Sequence, residues 1–270
     1  MNIIDFDKLY NDYVKDWTKS NAAKLKKSEP LDFVNQIYEQ WTVTPLKEIG
    51  GISAKEYFKN KSGEESINLL QEYNNQNISI PAPLIDKLSD IKFEDNLVKL
   101  LKEKQKEEEL FILATNILEE ISSKKHLDIL IDVMLNEGLN SETRDFAAEV
   151  LAAHATEVKE KIKAQVKNDT SKNDMYIADI LVYCKGDEFV FNLLKALFLS
   201  NVNNTLYAAY LGMYEDERAL PLLQKRIKSE EIGYVEFTEL RNSIERLGGE
   251  VNVEKDFSFD SDYKVLNNLK

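Results

Sequence analysis

Apolar residues recur at three- and four-residue steps along most of this chain. Phe6, Leu9, Tyr10, Tyr13, Val14 and Trp17 form one such stripe, and Leu31, Val34, Tyr38 and Trp41 form another. This is the spacing of amphipathic helices that press one face against a core. Between them, Lys19 to Pro30 is polar and lysine-rich and reads as a connection. Capping residues mark the next elements. Pro45 predicts the first position of a short helix, and Gly50 and Gly51 supply the left-handed stop. Ser53 with Glu56, and Ser62 with Glu65, have capping-box spacing; the second box predicts a helix through Ile67, Leu69, Leu70 and Tyr73.

From Leu88 onward the helical pattern repeats. Leu88, Leu118, Leu151, Leu181, Leu211 and Ile244 occupy one equivalent position, which recurs about every 30 residues. Each lies late in an apolar helix and is followed by a polar turn and a second amphipathic helix. Asp187 and Asp216 stand where they would cap second helices, accepting otherwise unpaired amide hydrogens, and Ser141 stands similarly before Arg144. Between Leu206 and Tyr214 almost no face is polar, which predicts a helix buried between neighbours, whereas Glu142, Asp145 and Glu149 share a stripe expected to face solvent.

The segment carrying Ala208, Ala209, Leu211, Gly212, Asp216, Ala219, Pro221 and Leu223 resembles the HEAT-like repeats of the phycobilisome-lyase type. Arg144, Ala147, Ala148 and Leu151 match the first half of the same pattern, and the resemblance spans about residues 81 to 250. It implies an all-α fold: an α-α superhelix, a HEAT-like solenoid of antiparallel helix pairs, with an N-terminal helical cap. The expected organisation is an N-terminal helical region at 1–78, the repeat array at 79–250 and an extended tail at 251–270. The tail alternates apolar and polar residues, and either packs along the last repeat or awaits a partner.

Composition narrows the function classes. Nine glycines and five prolines in 270 residues leave few turns for a hairpin-rich β domain. Forty-eight acids against 35 bases give a net charge of −13, which repels a phosphate backbone, so no nucleic-acid partner is expected. One cysteine rules out an internal disulfide framework and any Cys-rich zinc module, and two histidines leave little for a His-based metal site. No apolar run of membrane-spanning length occurs, and the start lacks a basic, then apolar leader pattern. The expectation is a cytoplasmic protein with no membrane partner.

Candidate chemistry is sparse. His126 precedes a second helix and His154 ends a first helix, where it would complement the helix dipole; no spacing joins them to a metal. Cys184 reads as a small core residue in an apolar helix. The loop from Lys167 to Asp174 is polar enough for calcium, but lacks a glycine at the sixth position counted from Asp169 as the first and has Ile180 where a bidentate Glu belongs. The run from Lys102 to Glu109 reads as an exposed helix end or turn. Eight aromatics crowd the stretch from Tyr176 to Tyr214, enough for both core and a surface anchor. Both tryptophans, Trp17 and Trp41, precede the repeats and read as core.

The expectation is a non-catalytic protein-protein interaction scaffold with no cofactor and no metal, whose acidic charge favours a basic protein partner. Its candidate partner-binding residues are Asp128, Asp132, Phe191, Lys195 and Arg226. Asp128 and Asp132 fall on one face of a second helix, the element that the resemblance implies lines the concave side. The alternative is an enzyme of lyase or DNA glycosylase type on the same scaffold, for which no catalytic constellation stands out.

Overall fold

The fold is all-α, in a computed structural model that describes residues 3–22, 33–166 and 174–267. Leu31, the lysine-rich stretch beyond residue 22 and the considered calcium loop at 167–173 lie outside the described residues. The chain divides into two compact units, Met1–Ile129 and Leu130–Lys270.

In the first unit, helix α1 (Phe6–Ser20) starts at Asp5, whose carboxylate accepts the Lys8 amide at 2.8 Å. Helix α2 (Val34–Val43) packs against it. Phe6, Trp41 and Phe58 are buried together, with Phe6 4.9 Å from the Phe58 ring and 6.4 Å from Trp41. Trp17 is half-buried and donates to Gln40 at 3.1 Å.

Pro45 does not open a helix. It begins strand β1 (Pro45–Leu46), which pairs antiparallel with β2 (Ile52–Ser53), Pro45 opposite Ser53. A 3₁₀ turn, Lys47–Ile49, joins them, and Gly50 and Gly51 both sit at φ +79°, where a side chain would be strained. The ribbon wins because the two glycines reverse the chain onto itself. Both capping boxes form: Ser53 and Glu56 start α3 (Ala54–Lys59), and Ser62 and Glu65 start α4 (Gly63–Asn75). Then come α5 (Ala82–Leu88), α6 (Glu94–Glu103), α7 (Glu108–Glu120) and α8 (Leu127–Leu135), the last crossing into the second unit. Lys102 to Glu109 spans the break between α6 and α7, where the Lys104 ammonium meets Glu107 at 2.7 Å.

In the second unit, α9 (Ser141–Ala153) is capped by Asn140, not by Ser141. Asn140 has the extended backbone a cap needs, and its side chain reaches the Thr143 amide at 2.9 Å. Then follow α10 (Ala155–Val166), α11 (Asp174–Leu181), α12 (Glu188–Leu199), α13 (Asn204–Tyr214), α14 (Leu220–Arg226), α15 (Tyr234–Arg246) and the short α16 (Ser261–Leu266). Helix α9 packs on α11, α11 on α10 and α12, α12 on α13, and α13 and α14 on α15. Asp187 caps α12, as its position predicts; Asp216 caps a 3₁₀ turn, Glu217–Ala219, that leads into α14.

The six equivalent Leu and Ile positions all have 0% exposure, each in an alternate helix: α5, α7, α9, α11, α13 and α15. Helix α13 is buried along most of its length, and Glu142, Asp145 and Glu149 are exposed. The tail takes the first of its two expected alternatives, since the Phe257 ring lies 5.1 Å from Phe237 and 5.5 Å from Tyr234 of α15. It is not extended throughout, because Asp260 caps α16 and also accepts the Tyr234 amide at 3.0 Å.

Candidate functional site

Several side-chain hydrogen bonds join residues 30 or 31 positions apart. Tyr176 on α11 donates its hydroxyl to Asp145 on α9 at 2.6 Å, and Tyr210 on α13 donates to Asp179 on α11 at 3.0 Å, both across 31 residues. Arg218 reaches Glu188 across 30 residues at 2.8 Å. In the first unit Ser89 donates to Glu120 across 31 residues, and Lys125 to Asp95 across 30. Burial and the neighbouring carboxylates raise the pKa of the Tyr176 and Tyr210 hydroxyls, so both remain donors at neutral pH.

Asp187 is the densest polar junction in the second unit. Its carboxylate accepts the Phe189 amide at 3.0 Å and pairs with Lys163 at 2.9 Å and Lys159 at 3.1 Å, both on α10. Its carbonyl accepts the Tyr214 hydroxyl from α13 at 2.7 Å. The Lys163 hydrogen bond is the main cause that holds its pKa at about 2, and Lys159 adds to it against the cost of burial.

The candidate partner-binding residues fare unequally. Asp128 and Asp132 are exposed on α8. Phe191 is only 4% exposed: its ring lies 6.3 Å from Tyr214, and the Arg218 guanidinium sits 4.1 Å above it. It cannot serve as a surface anchor, because the chain returns at Tyr214 and Arg218 to cover it. Lys195 is half-buried one turn further along α12. Arg226 is held by Glu236 through two hydrogen bonds, at 2.6 and 3.1 Å. No hydrogen bond or ion pair joins Phe191, Lys195 and Arg226 among the described residues. The aromatic-rich stretch is mainly core: Phe198, Tyr207, Tyr210 and Tyr214 are buried with Phe191, whereas Tyr183 is exposed.

His126 is fully buried, its Nε2 2.7 Å from Glu119. His154 is the C-cap residue of α9, its Nδ1 3.6 Å from Glu157. Cys184 is buried as expected but lies in the turn after α11, not in the helix; burial raises its thiol pKa, more than Lys159 and Lys163 lower it. Among the described residues no three His, Cys, Asp or Glu side chains gather to hold a metal ion, and no helix is long and apolar enough to cross a membrane.

A recess of about 520 Å³ in the first unit is not foreshadowed by any motif of the sequence. Tyr38, Pro83 and Phe93 form apolar parts of its wall, and Lys55, Lys59, Lys61, Lys87 and Lys92 line it with the carboxylates of Glu39, Asp86 and Asp90. Lys87 is committed to the fold: its ammonium donates to the Phe58 carbonyl at 2.6 Å and to that of Lys61, closing the end of α3, and burial lowers its pKa. Lys92 pairs with Asp90, and Asp86 accepts the Tyr38 hydroxyl at 3.3 Å. Lys55 and Lys59, one turn apart on α3, make no ion pair among the described residues. Lys55, Lys59 and Lys61 lie close in sequence, but the rest of the lining comes from residues 38–42 and 83–93, so no single stretch of the chain carries the site.

No family model, curated protein or solved structure matches this chain.

Proposed function

We propose that the protein is a non-catalytic interaction scaffold, in which HEAT-like helix pairs of the second unit stack on one another and offer their outer faces to a basic protein partner. The observation that carries this reading is the register of the Tyr176–Asp145 and Tyr210–Asp179 hydrogen bonds, equivalent contacts across equal spans on three successive first helices. Arrays held by nearest-neighbour contacts build long faces from many helices, which suits recognition of another chain. Fold likeness alone assigns no chemistry.

Charge supports the choice of partner. Residues 130–270 hold 25 acids against 17 bases. On α9, Glu142, Asp145 and Glu149 are exposed along one face, and none of the three is in an ion pair among the described residues. A basic protein would meet these carboxylates at little desolvation cost, with electrostatics contributing more to encounter and orientation than to affinity. We assign this work to the cytoplasm.

Capture from the native extract on the immobilised chain tests the reading. Basic proteins retained at about 50 mM salt should be released near 0.5 M, where the screening length shrinks to a few ångströms. E142K/E149K, on the solvent side of α9, should capture less of the same proteins. No retained protein at either salt, or equal capture by the variant, would overturn the assignment.

A further inference from the structure

We propose that the lysine-lined recess of the first unit binds a small phosphate ester with a hydroxyl-bearing body, a phosphorylated sugar or nucleoside, its phosphoryl group held by Lys55, Lys59 and Lys61. This inference is independent of the interaction surface on the second unit.

Charge is the first ground. The chain carries a net −13, yet in this recess five lysines face three carboxylates. Asp90 is neutralised by Lys92, and Asp86 is engaged with the Tyr38 hydroxyl. Lys55 and Lys59 stand at i and i+4 on α3, a spacing at which like charges repel. The Lys61 ammonium lies over the Tyr57 ring at 4.8 Å and is in no ion pair among the described residues. An anion relieves this repulsion.

The kind of cation is the second ground. Among the described residues no arginine lines the recess, so an anion there meets lysine ammonium groups and not a planar guanidinium fork. Ammonium groups act as compact point charges, the arrangement that suits a phosphate monoester carrying close to two negative charges near neutral pH.

Size and wall chemistry define the rest of the ligand. A volume of about 520 Å³ falls in the range of small-molecule sites. Pro83, Phe93 and Tyr38 offer apolar contact for a ring. Glu39 and Asp86 accept hydrogen bonds and cannot donate as carboxylates, so the portion of the ligand beside them must bring hydroxyl or amino donors. A bare polyphosphate would be repelled there.

Calorimetric titration of the full chain tests this, with AMP and ribose 5-phosphate as ligands and adenosine, ribose and inorganic phosphate as comparators. Either phosphate ester should bind at least tenfold more tightly than its unphosphorylated parent and more tightly than inorganic phosphate. K55Q/K59Q should lose at least tenfold in affinity, about 1.4 kcal/mol, while K102Q, at an exposed position of α6, should bind as the native chain does. Both changed lysines are exposed, so an unchanged thermal midpoint checks that the fold is kept. The assignment is overturned if neither ester binds at millimolar concentration, if adenosine binds as well as AMP, or if K55Q/K59Q binds normally. A phosphoserine peptide that binds where both esters fail would also overturn it, in favour of a protein ligand.

Discussion

Gly212→Val is expected to destabilise the second unit by about 3 kcal/mol, the upper part of the range for overpacking a close contact. Gly212 sits inside α13, where glycine ordinarily costs stability relative to alanine. It is there because α15 comes too close for anything larger. A Cβ at this position would lie 2.7 Å from the Ser243 hydroxyl oxygen, 2.9 Å from its Cβ and 3.0 Å from its Cα. The last of these is backbone and cannot swing away. The contact is also pinned, since buried Ser243 donates to the Ala208 carbonyl at 2.9 Å, one helix to the next. Gly212→Ala should cost less, because the gain in helix propensity offsets part of the clash. Urea denaturation followed by circular dichroism reads both. A valine variant with the native midpoint would mean that α13 and α15 do not approach this closely.

Asp187→Ala should cost about 2 to 3 kcal/mol, because one side chain ends two kinds of contact. The lost cap of α12 contributes about 1 kcal/mol. The remainder comes from Lys163 and Lys159, left without their shared carboxylate, discounted because neither lysine is fully buried. Asp187→Asn separates the two, since an amide oxygen can still cap but carries no charge. The charge contribution has a defined pH window. The folded-state pKa of about 2 lies below the ordinary 3.8, so the stabilisation is nearly complete above about pH 4 and is lost as pH falls through 2. The charge-dependent part of the difference in unfolding free energy between the native chain and D187N should therefore be full at pH 6, shrink between pH 4 and 2, and be lost only below about pH 2. A pH-independent difference would refute the role of the ion pairs.

Much of this fold was legible because its determinants are local or periodic. The capping boxes at Ser53 and Ser62 needed only a hydroxyl and a glutamate three residues on. The Leu and Ile positions recurring about every 30 residues were visible as a period in the sequence, and all six lie out of solvent. Where non-local packing decides, sequence pattern misleads. Pro45 has the φ of a helix start, yet the Gly50–Gly51 reversal brings it opposite Ser53 in a ribbon. Phe191 reads as an available anchor until Arg218 folds over its ring. The lysine recess was hidden for the same reason, since residues from α2, α3 and α5 through Phe93 converge only in three dimensions.

Double-mutant cycles on the tyrosine–aspartate contacts test most directly whether one helix-pair unit repeats at this period. The cycles pair Tyr176→Phe with Asp145→Asn, and Tyr210→Phe with Asp179→Asn, measured by urea denaturation. Stacking in register predicts coupling of about 0.5 kcal/mol at the exposed first contact and about 1 kcal/mol at the part-buried second, with essentially none between Tyr210 and Asp145, which are two repeats apart. Zero coupling at both in-register pairs, or equal coupling at the out-of-register pair, would contradict it.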